Sequence, residues 1–472
     1  MSNRYDTLVF LGSRIFAAAL NLVAVAVFTR MAGGATYGLY LSVVAGAFIL
    51  HGILTQWIGE SFFARYREGH TDLHLAAAIQ LNCAAFLLLA VLIGAAALGG
   101  LLDTGMALAL CLMTAGRAAY DFAIEVTRTR LHVWLSALTT ILKAILVLAA
   151  GTFALVVFDE AAALPVSIAV AHLLAALPAL VAYRSHFLAR ISVSVTIDLL
   201  RYGWPLILAG GTWAIAQNID RLILAHFHGA ASIGTYGAVA DFLKQVFFVF
   251  GEVIAISLVS LAKRAASEGR FEDVHHALCE AMRSIALITV FGSVFIFALQ
   301  DVIIATFFGP EFRLQAKQLL PLLLFASAVL VFRTFYFGQI VYFLNSSMLQ
   351  FYASALQLAV TVGIALALVP AYGAIGAASA FAIGQIASCG MVALWRSPQF
   401  AMPFPVRDMA SIAAAGIAVW MVHLGLQAMI GRGLVLTIAD LALIGGSAAT
   451  VLWSYDLFAS RHVIRFVLAR VR

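Results

Sequence analysis

Fourteen apolar segments, each long enough to cross a bilayer, follow one another along this chain, and that recurrence constrains its fold more than any other feature. Windows of about 19 residues place them near 8–29, 38–60, 75–98, 106–126, 134–157, 163–183, 202–225, 235–261, 284–307, 317–340, 348–369, 374–395, 409–430 and 434–456. Composition agrees. Of the 472 residues, 64% are hydrophobic and 11% charged, against about 45–50% and about 25% in soluble domains. A mean hydropathy of +1.02 makes the apolar surplus global rather than the mark of one anchor. The expected fold class is an all-α polytopic membrane protein with fourteen transmembrane helices.

The basic residues test that count. With the N-terminus inside, eighteen Lys and Arg fall in inner connections. They include Arg4, Arg65, Arg67, Arg128, Arg130, Arg184, Arg190, Lys263, Arg264, Arg396, Arg461, Arg465, Arg470 and Arg472. Four fall outside: Arg30, Arg313, Lys317 and Arg432. Basic flanks resist translocation, so this asymmetry predicts both termini in the cytoplasm. The net charge of +6 is thereby an orientation signal, and no nucleic-acid partner is expected. Arg14 interrupts the first apolar stretch early and no small-residue cleavage site follows, which predicts an uncleaved first span. Cys83, Cys111, Cys279 and Cys389 form no CxxC. His226-x-His228 and His275-His276 have no further ligands nearby, so neither a metal nor another cofactor is expected.

A repeat divides the chain. Offset by 196 positions, Gly33, Ala35, Gly38 and Tyr40 coincide with Gly229, Ala231, Gly234 and Tyr236, in the outer loop after the first span of each half. Glycine there permits a tight turn. A second match, at offset 216, sets Arg117-x-x-Tyr120 against Arg333-x-x-Tyr336 in spans 4 and 10. The division is then 1–184 for spans 1–6, 185–200 for a cytoplasmic linker, 201–396 for spans 7–12, and 397–472 for two further spans and a basic tail. In the long connection 263–283, Phe271, Val274, Leu278 and Met282 lie at helical spacing, which predicts an interfacial helix.

The stretches TRMAGGATYGLYLSVVAG (29–46), RYGWPLILAGGTWAIAQNIDRLILAHFHGAASIGTYGAVADFL (201–243), FFGPEFRLQAKQLLPLLL (307–324) and LVPAYGAIGAASAFAIG (368–384) resemble, in order and spacing, parts of the polysaccharide flippases. The chain is similar to the Wzx-type lipid-linked oligosaccharide flippases of the multidrug/oligosaccharidyl-lipid/polysaccharide exporter (MOP) superfamily. The resemblance implies two six-helix lobes in a V around a central cavity, with the last two helices appended. It implies a polyprenyl-pyrophosphate-linked oligosaccharide as substrate, carried from the inner to the outer leaflet of the bacterial cytoplasmic membrane. The implied partners are that substrate, membrane lipids, and the polymerase and glycosyltransferases of surface-polysaccharide synthesis.

Charges inside the spans narrow the site. A charge at mid-bilayer costs at least about 2.5–3.5 kcal/mol, so each demands a cavity or a partner. Arg117, Asp121 and Glu125 recur every four residues and share one helix face, and Asp241 and Lys244 do the same on span 8. One reading makes Asp121, Glu125, Asp220, Arg221, Asp241 and Lys244 internal ion pairs that hold helices together. The other concerns Arg14, Arg117, Lys143 and Arg333, of which only Arg117 has an acid one turn away. A pyrophosphate suits such cations, and these four are the candidate substrate-binding residues. Asn21, Gln217, Asn218, Gln339, Asn345, Gln350 and Gln357 add hydrogen-bonding capacity for sugars or for helix contacts.

No GxxxxGK[ST], HExxH or G-x-S-x-G occurs, so a transporter rather than an enzyme is expected. Two other readings stay open. A drug or cation antiporter of the same superfamily needs a buried carboxylate, and the first span offers Arg14 and no acid. A membrane polymerase or ligase of lipid-linked glycans needs a long outer loop, whereas every outer loop here is short.

Overall fold

Only helices and closed barrels satisfy every backbone N–H and C=O away from water, and this chain is built from helices. The computed structural model describes residues 2–66, 71–187, 192–344, 348–395 and 400–457, and no strand occurs among them. Asn345 and the basic residues Arg67, Arg190, Arg396, Arg461, Arg465, Arg470 and Arg472 lie outside the described residues. The first eight helices are α1 (Ser2–Met31), α2 (Gly33–Leu54), α3 (Gln56–Arg65), α4 (Thr71–Leu98), α5 (Thr104–Thr129), α6 (Val133–Val157), α7 (Ala163–Ala182) and α8 (Val193–Ala216). The rest are α9 (Ile219–Ile254), α10 (Ser260–Ser267), α11 (Phe271–Ala298), α12 (Gln300–Phe307), α13 (Arg313–Phe335), α14 (Met348–Leu394), α15 (Val406–Ile430) and α16 (Leu434–Ser454).

Among the described residues, 12 helical stretches are long and apolar enough to cross a membrane. Two of them, Ile219–Ser267 and Met348–Leu394, are interrupted by non-helical backbone at Gly229 and Gly373. Large apolar side chains remain uncovered along these helices, Leu87, Val91 and Leu98 on α4 and Ile417 and Met421 on α15 among them. Water would penalise such a surface and lipid does not.

Two compact units emerge: residues 1–242, 307–319 and 350–384 form the first, and 243–306, 320–349 and 385–472 the second. In the first unit α1 packs on α6, α5 on α6 and α7, and α2 on α5 and α8. Trp57, Ile58 and Phe62 of α3, Leu75 and Ala78 of α4 and Leu199 of α8 form one of its buried clusters.

The glycine repeat explains how two of these helices begin and meet. Gly33 and Gly229 both adopt positive φ, +66° and +76°, a backbone state that an L side chain resists. One turn on, the helices touch backbone to backbone. A Cβ on Gly38 would lie 1.7 Å from the carbonyl oxygen of Ala230, and one on Gly234 would lie 2.5 Å from that of Gly34. The two contacts exchange under the 196-residue offset, so the repeat is also a local symmetry of packing. Around it, the Gly34 N–H donates to Glu311 at 3.2 Å, Gly309 N–H to Thr29 Oγ1 at 3.1 Å, and His228 Nε2 to the Val369 carbonyl at 2.8 Å.

In the second unit α11 packs on α10, α15 and α16. Phe291, Ile412, Val419 and Ile444 form its core. Arg283 pairs with Asp408 at 2.7 Å, and His423 with Asp440 at 2.8 Å. The interfacial helix expected within 263–283 is not separate. Its apolar stripe begins α11, where Val274, Leu278 and Met282 are buried and Phe271 alone stays exposed. Amphipathic spacing reports a covered face but not what covers it, and here protein does.

Candidate functional site

The second apolar segment, 38–60, is not one helix. It breaks at Thr55, where φ −131° and ψ −27° separate α2 from α3. His51 O keeps the last bond of α2, from the Thr55 N–H at 3.0 Å, and Leu54 O beside the break accepts from the Trp57 indole at 3.0 Å. A break of this kind is tolerated away from lipid, where it lines a cavity. It does so here. A cavity of about 300 Å³ in the first unit is lined by His51, Gln56 and Glu60 beside the break, by Arg117, Asp121 and Glu125 of α5, and by Phe48 and Trp213.

The face shared by Arg117, Asp121 and Glu125 therefore points where its spacing required, into an interior. Arg117 Nε stands 3.4 Å from Asp121 Oδ2, and its guanidinium lies 4.4 Å from the Phe48 ring centroid. The same Asp121 oxygen is 3.2 Å from His51 Nε2. Glu125 accepts from Arg128 through both oxygens, at 2.8 and 2.9 Å. Glu60 accepts from Gln56 Nε2 at 2.8 Å.

Two more of the candidate cations belong to this neighbourhood. The Lys143 ammonium, on α6, lies 5.2 Å from the Tyr120 ring centroid, and its charge acts on Asp121 together with those of Arg117 and His51. Arg14, on α1, sits over Phe10 at 4.6 Å, and its charge reaches the Tyr120 hydroxyl, as does that of Arg117. The structure thus brings Arg117 and Lys143 to Asp121, with Arg14 in reach of the neighbouring Tyr120.

Other charged residues act as internal pairs. Arg221 grips Asp241 through both terminal nitrogens, and Asp220 accepts from the Tyr236 hydroxyl. Asp220 and Arg221 are 2% and 3% exposed. Gln217 donates to Gln357 at 3.4 Å, and Gln357 to the Ala216 carbonyl at 3.3 Å, as glue between helices. Lys244 and Glu252 are half-buried further along the same chain segment.

Arg333 belongs to the second unit. It is 2% exposed, its Nε donates to Ser388 at 3.1 Å, and its Nη2 has no hydrogen-bond partner among the described residues. Just beyond it, α13 ends at Phe335 and the chain passes into the 3-10 turn Phe337–Tyr342, with the Tyr336 hydroxyl donating to the Pro403 carbonyl.

Sequence reasoning missed His51 and Glu60. Both sit in the segment already read as a span, and both have a polar residue one turn away, Thr55 for His51 and Gln56 for Glu60. That polar periodicity inside an apolar window was the available signal.

Helices interrupted at polar, cavity-lining positions recur in secondary transporters, and the solved structures similar to this chain are of that kind. The chain is similar to the lipid II flippase MurJ in an inward closed conformation, at 14% identity and TM-score 0.73, covering 97% of this chain and all of that one. It is similar to an inward-facing multidrug resistance MATE family transporter of the MOP superfamily, at 16% identity and TM-score 0.63, covering 86% and 98%. It is also similar to a MOP superfamily transporter from Pyrococcus furiosus, described as having a binding pocket of reverse polarity, at 15% identity and TM-score 0.59, covering 87% and 96%. Residues 107–317 match the family described as polysaccharide biosynthesis protein. A comparison with curated protein sequences finds no match. The chain is a multi-pass membrane protein whose fold is similar to that of the lipid II flippase MurJ and of MATE transporters, and part of it matches a polysaccharide biosynthesis family.

Proposed function

We propose that this protein is a flippase that moves a polyprenyl-pyrophosphate-linked oligosaccharide from the inner to the outer leaflet of a bacterial cytoplasmic membrane, for surface-polysaccharide synthesis. One observation carries the reading: Arg117 faces the cavity beside the broken segment, Lys143 acts on the same acid, and that acid, Asp121, is already shared by His51 and Arg117. Arg117 lines the cavity itself with Lys143 beside the same acid, and guanidinium matches phosphate oxygens with a planar fork. The match to the polysaccharide biosynthesis family over residues 107–317 supports the glycan part of the substrate. Twelve of the fourteen apolar segments form two six-span repeats and two are appended, the basic asymmetry puts both termini in the cytoplasm, and Arg333 is the headgroup contact of the second repeat.

A second reading has its own observation. Glu60 lines the cavity, is exposed to it, and is held by the Gln56 amide rather than by a cation. Such a carboxylate suits a cation antiporter of the same fold. Expression in a strain lacking its own polysaccharide flippase separates the two. Restored surface glycan is the expected result, whereas no restoration together with efflux of a lipophilic cation such as ethidium would replace the flippase by the antiporter.

A further inference from the structure

His51 enters the flippase reading only as a partner of Asp121, yet it is itself buried in the broken segment and lines the cavity. Its hydrogen bonds can be counted in both charge states. Asp121 faces Nε2 at 3.2 Å, which places a proton on that nitrogen in either state. The other nitrogen, Nδ1, lies 2.7 Å from Thr55 Oγ1, and that oxygen lies 3.2 Å from the His51 carbonyl oxygen. When the ring is neutral, the Thr55 hydroxyl donates its single proton to Nδ1. When the ring is charged, Nδ1–H donates to Thr55 Oγ1, and the hydroxyl turns to the carbonyl. No donor and no ring acceptor is orphaned either way, so a proton can enter or leave with only a hydroxyl rotation. The hydroxyl's second target is the carbonyl one turn earlier, which also accepts the Thr55 N–H.

The charged surroundings tie that proton to an anion. From α5, Asp121 and Arg117 face the ring's end of the cavity, with Glu125 one turn further. From α3 comes Glu60, and from α6 the charge of Lys143, acting through Asp121. The wall from α8 presents Trp213 and no titratable group. Arg14 of α1 and His172 of α7 lie in the next layer, about Tyr120. Asp121 Oδ2 is therefore divided between one fixed cation, Arg117, and one optional cation, His51.

We propose that His51 is a proton-binding site coupled to anion binding at Arg117, so that a diphosphate headgroup enters the cavity together with one proton. The proposal rests on the reading of Arg117 as a headgroup contact. A diphosphate that engages Arg117 draws it from Asp121 and adds negative charge to a cavity of about 300 Å³. Both changes favour imidazolium over imidazole. The proton comes from water and binds Nδ1, and no other bond changes. Coupling is reciprocal, so protonation tightens anion binding and its loss weakens it, by up to about tenfold per pH unit for one linked proton.

The test uses the purified full-length protein in nanodiscs and farnesyl diphosphate as the probe. Calorimetry in two buffers of different ionisation enthalpy reads the protons taken up on binding. The probe's own ionisation is common to all variants. His51→Gln keeps a donor toward Asp121 and an acceptor toward Thr55, and is expected to lower uptake by as much as one proton per ligand and to flatten the dependence of affinity on pH. Equal uptake by wild type and His51→Gln overturns the coupling. Histidine-selective NMR without ligand tests the site independently: His51 is expected to gain its second ring proton as the pH is lowered, and a ring that stays neutral at every pH at which the protein remains folded overturns the proton site. Failure of farnesyl diphosphate to bind at any pH, with folded protein and a titrating His51, overturns the headgroup role of Arg117 and with it the coupling.

Discussion

Arg117 and Arg333 occupy the same place in a repeated Arg-x-x-Tyr, yet their surroundings differ in every physical respect. Arg117 lies on an unbroken helix, has Asp121 one turn away, and lines a cavity with its side chain 29% exposed. Arg333 stands two residues before its helix ends, has Phe337 where Arg117 has an acid, and is enclosed at 2% exposure with only Ser388 on Nε. The glycine repeat behaves in the opposite way, because both of its copies keep the same φ and make reciprocal contacts. A turn is fixed by the backbone of a few residues, so sequence identity preserves it. The environment of a long side chain is fixed by distant helices, and a repeated arginine guarantees no repeated environment.

The largest expected effect breaks the conserved copy. Gly38→Val puts a branched side chain into the carbonyl oxygen of Ala230, and two backbones must separate to admit it. Folded protein in the membrane, measured by fluorescence-detected size exclusion, is expected to fall severalfold or more. Gly12→Val, where a Cβ meets nothing within 4 Å, is the control and should accumulate normally. Equal abundance of the two variants would remove the packing role of the repeat.

Next comes the divergent copy. A buried charge without a carboxylate is costly, so Arg333→Gln relieves the fold of that cost and should leave protein abundance intact or higher. Transport, read as surface glycan in a complemented strain, is expected to be lost. Arg333→Lys should restore only part of it, since a point charge replaces a planar fork. Normal glycan export by Arg333→Gln would end its role as a headgroup contact, and loss of the protein itself would show that the guanidinium is structural.

The smallest effect in this series belongs to Arg117. Asp121 keeps His51 when Arg117→Gln removes its other partner, and Arg14 and Lys143 remain in the neighbourhood. Abundance is expected to be unchanged and transport reduced by about tenfold, equivalent to about 1.4 kcal/mol, rather than abolished. A complete loss matching that of Arg333→Gln would show that the two arginines are functionally equivalent despite their different surroundings.

Much of the helical frame was legible in the chain because apolar length is a local property. The apolar segments lie mainly on helix, although 38–60, 202–225, 284–307 and 317–340 each cross a break, and Gly33 and Gly229 turn where the repeat put them. The face of Arg117, Asp121 and Glu125 was legible too, because helical spacing sets it. The partition of the other charges was not. Asp220 and Arg221 are adjacent in sequence but separate in partner: one meets Tyr236, 16 positions on, and the other Asp241, 20 positions on. His51 looked like any polar residue in an apolar window until Asp121 was seen beside it.

What the sequence determined by itself was the solvent, the helices and their turns, since apolar content, helical period and the need for positive φ act within a few residues. Only the tertiary structure decided which charges pair and which line the cavity. An ion pair or a cavity is made by side chains from different helices, and its energy depends on distances and burial that no short stretch of sequence encodes. That is why Arg117 and Lys143, on two helices, could be named from the sequence and brought to one acid only by the fold.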